Sequence, residues 1–358
     1  MILSPGAKLN LGLYITGKRA DGFHDLVTLF YPIPFSDSLE IIRTPEISQA
    51  APPLPGENII AFKDKTAPER FKEQFKTPVS VYGDDSGNKE SPIVTYSTSG
   101  IPIQGAVQDN LCIRAYRMLK ADYPMLPAVN MHLHKAVPLG AGLGGGSADG
   151  AAMLKALNQL ADLGLSDMEL MNYAARLGSD CPIFITNGPQ IATGRGEILH
   201  PAPAGLEKVL KGYTMVLVCP MIHVPTAAAF SKITPKPGPS PKELAVLLLE
   251  GPKAWKDRLV NDFEVSVFSQ FPEIKQIKET LYRLGATYAS MTGSGSAVFG
   301  LFANEVAALK KEGEDQLEPS NKSLLSPLQE QSLEPTQKPI LEKALEVFYP
   351  YLVKSWNC

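Results

Sequence analysis

Apolar residues in the first forty positions alternate with polar ones at the two-residue period of a strand. From Lys8 to Thr16 the alternation sets Leu9, Leu11, Leu13 and Ile15 on one side, with Lys8 and Asn10 opposite Leu9 and Leu11. A turn-rich basic link, Gly17–Gly22, follows, and Val27–Tyr31 and Leu39–Ile42 read as two further strands. Asn110–Lys120 reads as a helix. Val129–Lys135 reads as a half-buried strand, Val129, Met131 and Leu133 inward and His132 and His134 on a solvated face. Met153, Ala156, Leu157, Leu160 and Leu163 then recur at helical spacing, with Gly164 as the stop. A second helix is expected from Ser166, where Glu169 completes a capping box, to Gly178. Val216–Cys219 is expected to be a strand. Leu281–Phe302 reads as helix end, glycine turn and strand, and Leu341–Tyr349 as a closing helix stopped before Pro350.

Between these elements the chain is punctuated. Residues 45–58 carry Pro45, Pro52, Pro53, Pro55 and Gly56, and residues 83–100 open on a turn cluster from Gly83 to Asn88. Pro235, Pro237, Gly238, Pro239 and Pro241 mark another loop. Residues 311–338 are polar and proline-interrupted, the composition of a solvated insertion. A shift near 201–212 suggests two domains, 1–205 and 206–358. No long-period repeat is visible.

Composition narrows the functional classes. The 358 residues are 44% hydrophobic and 20% charged, which fits an ordinary globular enzyme or binding protein. A net charge of −3 gives no basic surface for nucleic acid or membrane, so an anionic ligand must be held by local groups. Cys112, Cys181, Cys219 and Cys358 lack zinc or disulfide spacing and fit a reducing compartment. The N-terminus lacks the pattern of a signal peptide, and no apolar run is long enough for a bilayer. A cytoplasmic location is the expectation.

Four stretches can carry chemistry. Pro138-Leu139-Gly140-Ala141-Gly142-Leu143-Gly144-Gly145-Gly146-Ser147 runs straight into a helix. So many glycines cost chain entropy and suit a backbone that approaches a ligand closely, while the helix start offers free N–H groups. That is a phosphate cradle, or else a flexible hinge. It is not a Walker A loop, because no lysine follows, and no acidic residue stands where a dinucleotide ribose would need one. Lys8 and Asn10 share a strand face that is either solvated or part of a site. Asp180, in Gly178-Ser179-Asp180-Cys181-Pro182, is either a turn former or a carboxylate at the mouth of a site. Met291-Thr292-Gly293-Ser294-Gly295-Ser296-Ala297 is a plain β-turn or a second small-residue ligand loop.

In this order the four stretches resemble the galactokinase–homoserine kinase–mevalonate kinase–phosphomevalonate kinase superfamily. Within it, Arg19-Ala20-Asp21-Gly22-Phe23-His24 and Gly178-Ser179-Asp180-Cys181-Pro182 resemble the non-mevalonate isoprenoid branch. The resemblance spans about residues 3–43, 109–230 and 258–303, and leaves 45–105 and 311–338 as apparent insertions. It implies an α/β (α+β) two-domain fold, with a ribosomal-protein-S5-like first domain, a ferredoxin-like second domain and the active site in the cleft between. It implies transfer of the γ-phosphate of ATP, with Mg²⁺, to the 2-hydroxyl of 4-diphosphocytidyl-2-C-methyl-D-erythritol, a small-molecule substrate carrying cytidine diphosphate. By the same resemblance Lys8 and Asp180 are catalytic. Pro138, Gly140, Gly142, Leu143, Gly144, Gly145, Gly146 and Ser147 hold ATP, with Asn110 toward the adenine and Ser147 near Mg²⁺. Asn10, Phe23, His24, Thr226 and Phe230 bind substrate, with the base stacked between Phe23 and Phe230 and its edge read by His24. Asp149 sits where some relatives have Asn, and beside phosphates it must point away or meet a cation. A sibling kinase would have no use for the Phe23–Phe230 pair, and a non-catalytic regulator would tend to lose Lys8 or Asp180.

Overall fold

Two thirteen-residue strands, β2 (Gly6–Lys18) and β3 (His24–Ser36), form the hairpin on which the other elements assemble. The computed structural model describes residues 1–44, 79–82, 94–230, 232–304, 338–348 and 351–358. The proline-rich stretch 45–58, the turn cluster 83–88 and residues 311–337 of the expected insertion lie outside the described residues. The β2–β3 register shifts between Leu11 and Leu13. A bulge adds a residue to one strand and so reverses which face the following side chains take. Leu9 and Leu11 accordingly pack in one core with Tyr14, while Leu13 and Ile15 pack in another. The single apolar face expected from the sequence is therefore two faces.

Among the described residues the strands make three sheets. One has the order β1-β4-β7-β6-β5, from β1 (Ile2–Leu3), β4 (Ser38–Arg43), β5 (Val79–Tyr82), β6 (Val94–Gly100) and β7 (Val129–Lys135). The second continues the hairpin as β2-β3-β8-β9, with β8 (Gln190–Thr193) and β9 (Ile198–Pro201). The third, β11-β12-β10-β13, joins β10 (Tyr213–Cys219), β11 (Tyr288–Met291), β12 (Val298–Ala303) and β13 (Leu352–Asn357), each pair antiparallel.

The first sheet packs on helices Leu111–Asp122, Gly145–Leu160 and Asp167–Leu177. Leu39, Ile41, Met131 and Leu133 meet Ile113, Tyr116, Met153 and Leu157 in one core. Full burial of each large apolar side chain contributes about 1.5–3 kcal/mol. Gly150, in the middle of the second of these helices, costs helix propensity but permits contact. A Cβ there would stand 2.9 Å from the Cβ of Leu111. The third sheet is covered on both faces. Met215, Leu217, Phe299 and Leu301 face the hairpin, and Val216, Val218 and Val298 face Ile274, Ile277 and Leu281 of helix Pro272–Arg283.

Several expectations are refined. Helix Asp167–Leu177 has the Ser166–Glu169 capping box and ends at Gly178. The helix before it ends at Leu160 rather than near Gly164, so Leu163 packs from the following turn. Residues 94–100, read as loop, are strand β6, which pairs edge to edge with β7 in parallel. Ser97 and Ser99 bond both ring nitrogens of His132 at 2.8 and 2.9 Å, and Ser99 bonds His134. β11 and the C-terminal strand β13 were absent from the sequence reading. The mixed helices and sheets agree with the expected α/β (α+β) class.

Candidate active site

The bulged strand β2 carries Lys8 and Asn10 into the interior. Each is only 2% exposed, which removes the reading of a solvated face. A buried ammonium must be paired or hydrogen-bonded, and this one has three partners. Lys8 Nζ donates to Asn10 Oδ1 at 2.6 Å and to the Gly142 carbonyl at 3.1 Å, and lies 3.3 Å from Asp180 Oδ2. The Phe30 ring lies 5.0 Å from the same nitrogen. Asp180 sits in the turn between helices Asp167–Leu177 and Ile183–Thr186, with about a third of its side chain open to solvent. A carboxylate with one side on a buried cation and the other at the surface can receive a proton from an incoming hydroxyl.

Three of the four motif stretches bond to one another directly. The Lys8 N–H donates to the Leu143 carbonyl at 2.9 Å, and the Ala297 N–H to the Ala141 carbonyl at 3.1 Å. The Asn10 N–H donates to Thr292 Oγ1 at 2.9 Å, and the Thr292 hydroxyl reaches the Gly142 carbonyl at 3.3 Å. Asn10 Nδ2 donates to Thr28 Oγ1 at 3.0 Å. Gly142 is the residue where this closure demands glycine. Its φ is +77°, and a Cβ would stand 2.0 Å from the Thr292 carbonyl oxygen. The small-residue turn 291–297 is thus the backing of the glycine loop. Asn261, which sequence reasoning missed, holds that turn: its Nδ2 donates to the carbonyls of Met291 and Gly293 at 2.8 and 2.9 Å.

The loop itself runs from Pro138, through Gly140, Gly142, Leu143 and Gly144, into the helix opened by Gly145, Gly146 and Ser147. Beside it lies a cavity of about 330 Å³, lined among others by Tyr96, Val107, Asn110, Leu139 and Gly146. Asn110 is also the N-cap of helix Leu111–Asp122, accepting from the Cys112 N–H, and it donates to the Tyr96 hydroxyl at 2.8 Å. Asp149 meets a cation from the protein itself. Its Oδ2 takes Lys135 Nζ at 2.9 Å, and the same ammonium holds Asp37 Oδ2 at 2.5 Å, all three side chains being buried. Asp37 Oδ1 accepts the N–H groups of Ala136 and Val137, fixing the entry to the loop. Burial first, and then the charge of Asp37, push the Asp149 carboxyl up to about 7 against the pull of Lys135.

The residues expected from the sequence to meet substrate gather at the far end of the hairpin. The rings of His24 and Phe230 stack at 4.7 Å with 21° between their planes, and Phe230 meets Phe263 edge-on at 4.8 Å. Phe23 is exposed, and the guanidinium of Arg195 lies 5.0 Å over its ring. Thr226 begins the short helix Thr226–Phe230 and is exposed. Phe230 has His24 against it, so a base entering between Phe23 and Phe230 requires the imidazole to move aside. Arg195, like Asn261, carries no motif of its own. Only its place between Gly194 and Gly196 marks it in the sequence.

Two family descriptions match the chain: GHMP kinases N terminal domain over residues 110–188, and GHMP kinases C terminal over 244–314. A 4-diphosphocytidyl-2-C-methyl-D-erythritol kinase of Bacteroides fragilis is 42% identical over 315 residues, 88% of this chain and 96% of that protein. One of Cytophaga hutchinsonii is 38% identical over 303 residues, 84% of this chain and 92% of that protein. Among solved structures, a 4-(cytidine 5'-diphospho)-2C-methyl-D-erythritol kinase matches with TM-score 0.59 and 27% identity, covering 87% of this chain and 94% of that one. The mevalonate kinase of Methanococcus jannaschii matches with TM-score 0.58 at 13% identity, covering 99% of this chain and 97% of that one, a likeness of fold alone.

Proposed function

This chain belongs to the 4-diphosphocytidyl-2-C-methyl-D-erythritol kinase family of GHMP kinases, and from that premise we propose how its own residues carry out the transfer. The reaction is the ATP-dependent phosphorylation of the 2-hydroxyl of 4-diphosphocytidyl-2-C-methyl-D-erythritol, a step of isoprenoid precursor synthesis. The observation that carries the residue assignment is the Lys8–Asp180 pair, 3.3 Å apart, at the mouth of the glycine loop.

Phosphoryl transfer passes through a loose transition state, so the protein contributes mainly position and charge. The amides from Gly142 to Ser147 hold the β- and γ-phosphates at the helix start, and the cavity beside Asn110 takes the adenosine. Asp180 orients the 2-hydroxyl and accepts its proton. That hydroxyl is tertiary and hindered, which makes placement the main requirement. Lys8, fixed by Asn10 and the Gly142 carbonyl, offsets the negative charge that grows on the attacking oxygen. The cytosine docks at Phe23, His24 and Phe230, with Thr226 at the rim. Phe supplies the stacking surface without a hydroxyl.

Mg²⁺ supplies neutralisation of phosphate charge when bound. The site fits a cation held mainly by the nucleotide. Ser147 offers a hydroxyl in the first turn of the helix, Asp149 is turned to Lys135, and the described residues contain no cluster of three His, Cys, Asp or Glu side chains. No described helix is long and apolar enough to cross a membrane, and the cytoplasm is the proposed location. The division into domains 1–205 and 206–358 is supported by the sheets. β1 to β9 end by Pro201, and β10 to β13 begin at Tyr213.

An ATP-consumption assay with Mg²⁺ tests the reading, offering 4-diphosphocytidyl-2-C-methyl-D-erythritol beside homoserine and mevalonate. Turnover with the cytidine compound alone is expected. Turnover with another alcohol would keep the kinase and remove the base pocket.

A further inference from the structure

The strand connection Gly194–Glu197 joins β8 to β9 and brings two neighbouring residues to different parts of the cleft. Gly196 lies against the reacting carboxylate: a Cβ there would stand 3.5 Å from Asp180 Oδ1 and 3.5 Å from the Phe30 ring. Its neighbour Arg195 lies over Phe23, the guanidinium 5.0 Å from the ring centroid. The connection is held in place from both sides. The Leu26 N–H of β3 donates to the Gly194 carbonyl at 2.7 Å, and the Arg195 N–H to Glu197 Oε2 at 2.6 Å. Arg195 therefore leaves the backbone next to the residue that borders Asp180 and carries its guanidinium to the Phe23 ring.

The nearby cations differ in what they have left to offer. Lys8 is committed to Asn10, Gly142 and Asp180. Arg19 is committed to Asp21 and Asp25 at 3.1 and 2.9 Å. Arg195 has Glu197 at 3.5 Å, beyond hydrogen-bond reach for good geometry, and its Nε is buried with no hydrogen-bond partner. A guanidinium carries five N–H donors in a planar fork that suits phosphate oxygens. The Arg195 side chain is about one-third exposed, so its outer nitrogens can meet a ligand while Nε stays beside Glu197.

Resting on the reading of the cleft given above, we propose that Arg195 is a specificity-determining residue that holds the diphosphate of the substrate. A molecule with its base at Phe23 and its hydroxyl at Asp180 must lay the linking phosphates between them, where Arg195 stands. The residue thereby selects alcohols that carry a nucleoside diphosphate over free polyols of the same shape.

The test compares cytidine, CMP and CDP as competitive inhibitors of the wild-type enzyme, Arg195→Met and Arg195→Lys. Charge-assisted hydrogen bonds of this kind correspond to about a ten- to hundredfold change in affinity. In the wild type CDP binds more tightly than cytidine. In Arg195→Met that advantage is expected to shrink by about ten- to hundredfold, with cytidine itself moving less than about threefold, while Arg195→Lys restores part of it. KM for the diphosphocytidyl substrate rises in step. Equal weakening of cytidine and CDP would overturn the proposal, since Arg195 would then act only by supporting Phe23. An unchanged ratio would overturn it too. If wild-type enzyme binds CDP no better than cytidine, this proposal falls; if neither cytidine nor CDP competes with the diphosphocytidyl substrate, the reading of the cleft falls as well.

Discussion

Lys8 is a charge in a place where charge is costly, and what surrounds it explains how it is tolerated. Each of its partners is fixed by something else: Asn10 by Thr28, Gly142 by Thr292, and Asp180 by the turn after a capped helix. The ammonium therefore has one address. Asp180→Asn keeps the shape and removes the proposed proton acceptor. Turnover is expected to fall at least about a hundredfold with KM for ATP nearly unchanged, as steady-state kinetics will show. Phe23→Ala removes a stacking surface instead, and KM for the cytidine substrate should rise by about one to two decades with kcat held. Lys8, Asn10 and Asp180 were recognisable in the sequence because each lies in a short local pattern. Their burial and mutual approach were not, because those depend on a turn more than 280 residues away from Asn10. Arg195 and Asn261 gave no local signal at all, since their roles come from what other segments place beside them.

At the scale of elements, the bulge in β2 is the decisive detail. Alternation alone assigned Leu9 through Ile15 to one face, and one inserted residue sends the second half of the strand to a different core. Periodicity carries no record of such an insertion. Strand β13 was missed for a related reason. Leu352–Asn357 is short, mixed in polarity and defined by its pairing with β10. Helices with caps, such as Asp167–Leu177, were readable end to end because their signals are local. The glycine loop makes its own prediction here. Gly142→Ala forces a side chain at positive φ against the Thr292 carbonyl, with a strain of about 1–3 kcal/mol. A lowered unfolding midpoint and a raised KM for ATP are expected together. Lys135→Met leaves Asp37 and Asp149 facing each other in the interior. Urea unfolding should show a loss of about 3–5 kcal/mol, the usual result of breaking a buried ion pair.

Among the described residues the molecule has three sheets, the hairpin belonging to the one that packs on both others, and its thiols report that packing. Cys112, Cys181 and Cys219 are buried, and burial pushes the thiols of Cys181 and Cys219 up to about 12. Reaction with a thiol reagent at pH 8 is expected to leave these three untouched in the native enzyme and to label them once it is denatured. Labelling of Cys181 in the native state would mean that the turn carrying Asp180 opens far more readily than its contacts suggest.

Because the glycine loop is backed by residues 291–297 and by Asn261, the centre is assembled from both ends of the polypeptide. During synthesis, Lys8, the loop and Asp180 all leave the ribosome while that backing is still untranslated. A chain at that stage holds Lys8, the glycine loop and Asp180 but lacks Thr292 and Asn261, which keep Gly142 and its backing turn in place. The glycine loop therefore gains its full support only once residues 261–297 have been made.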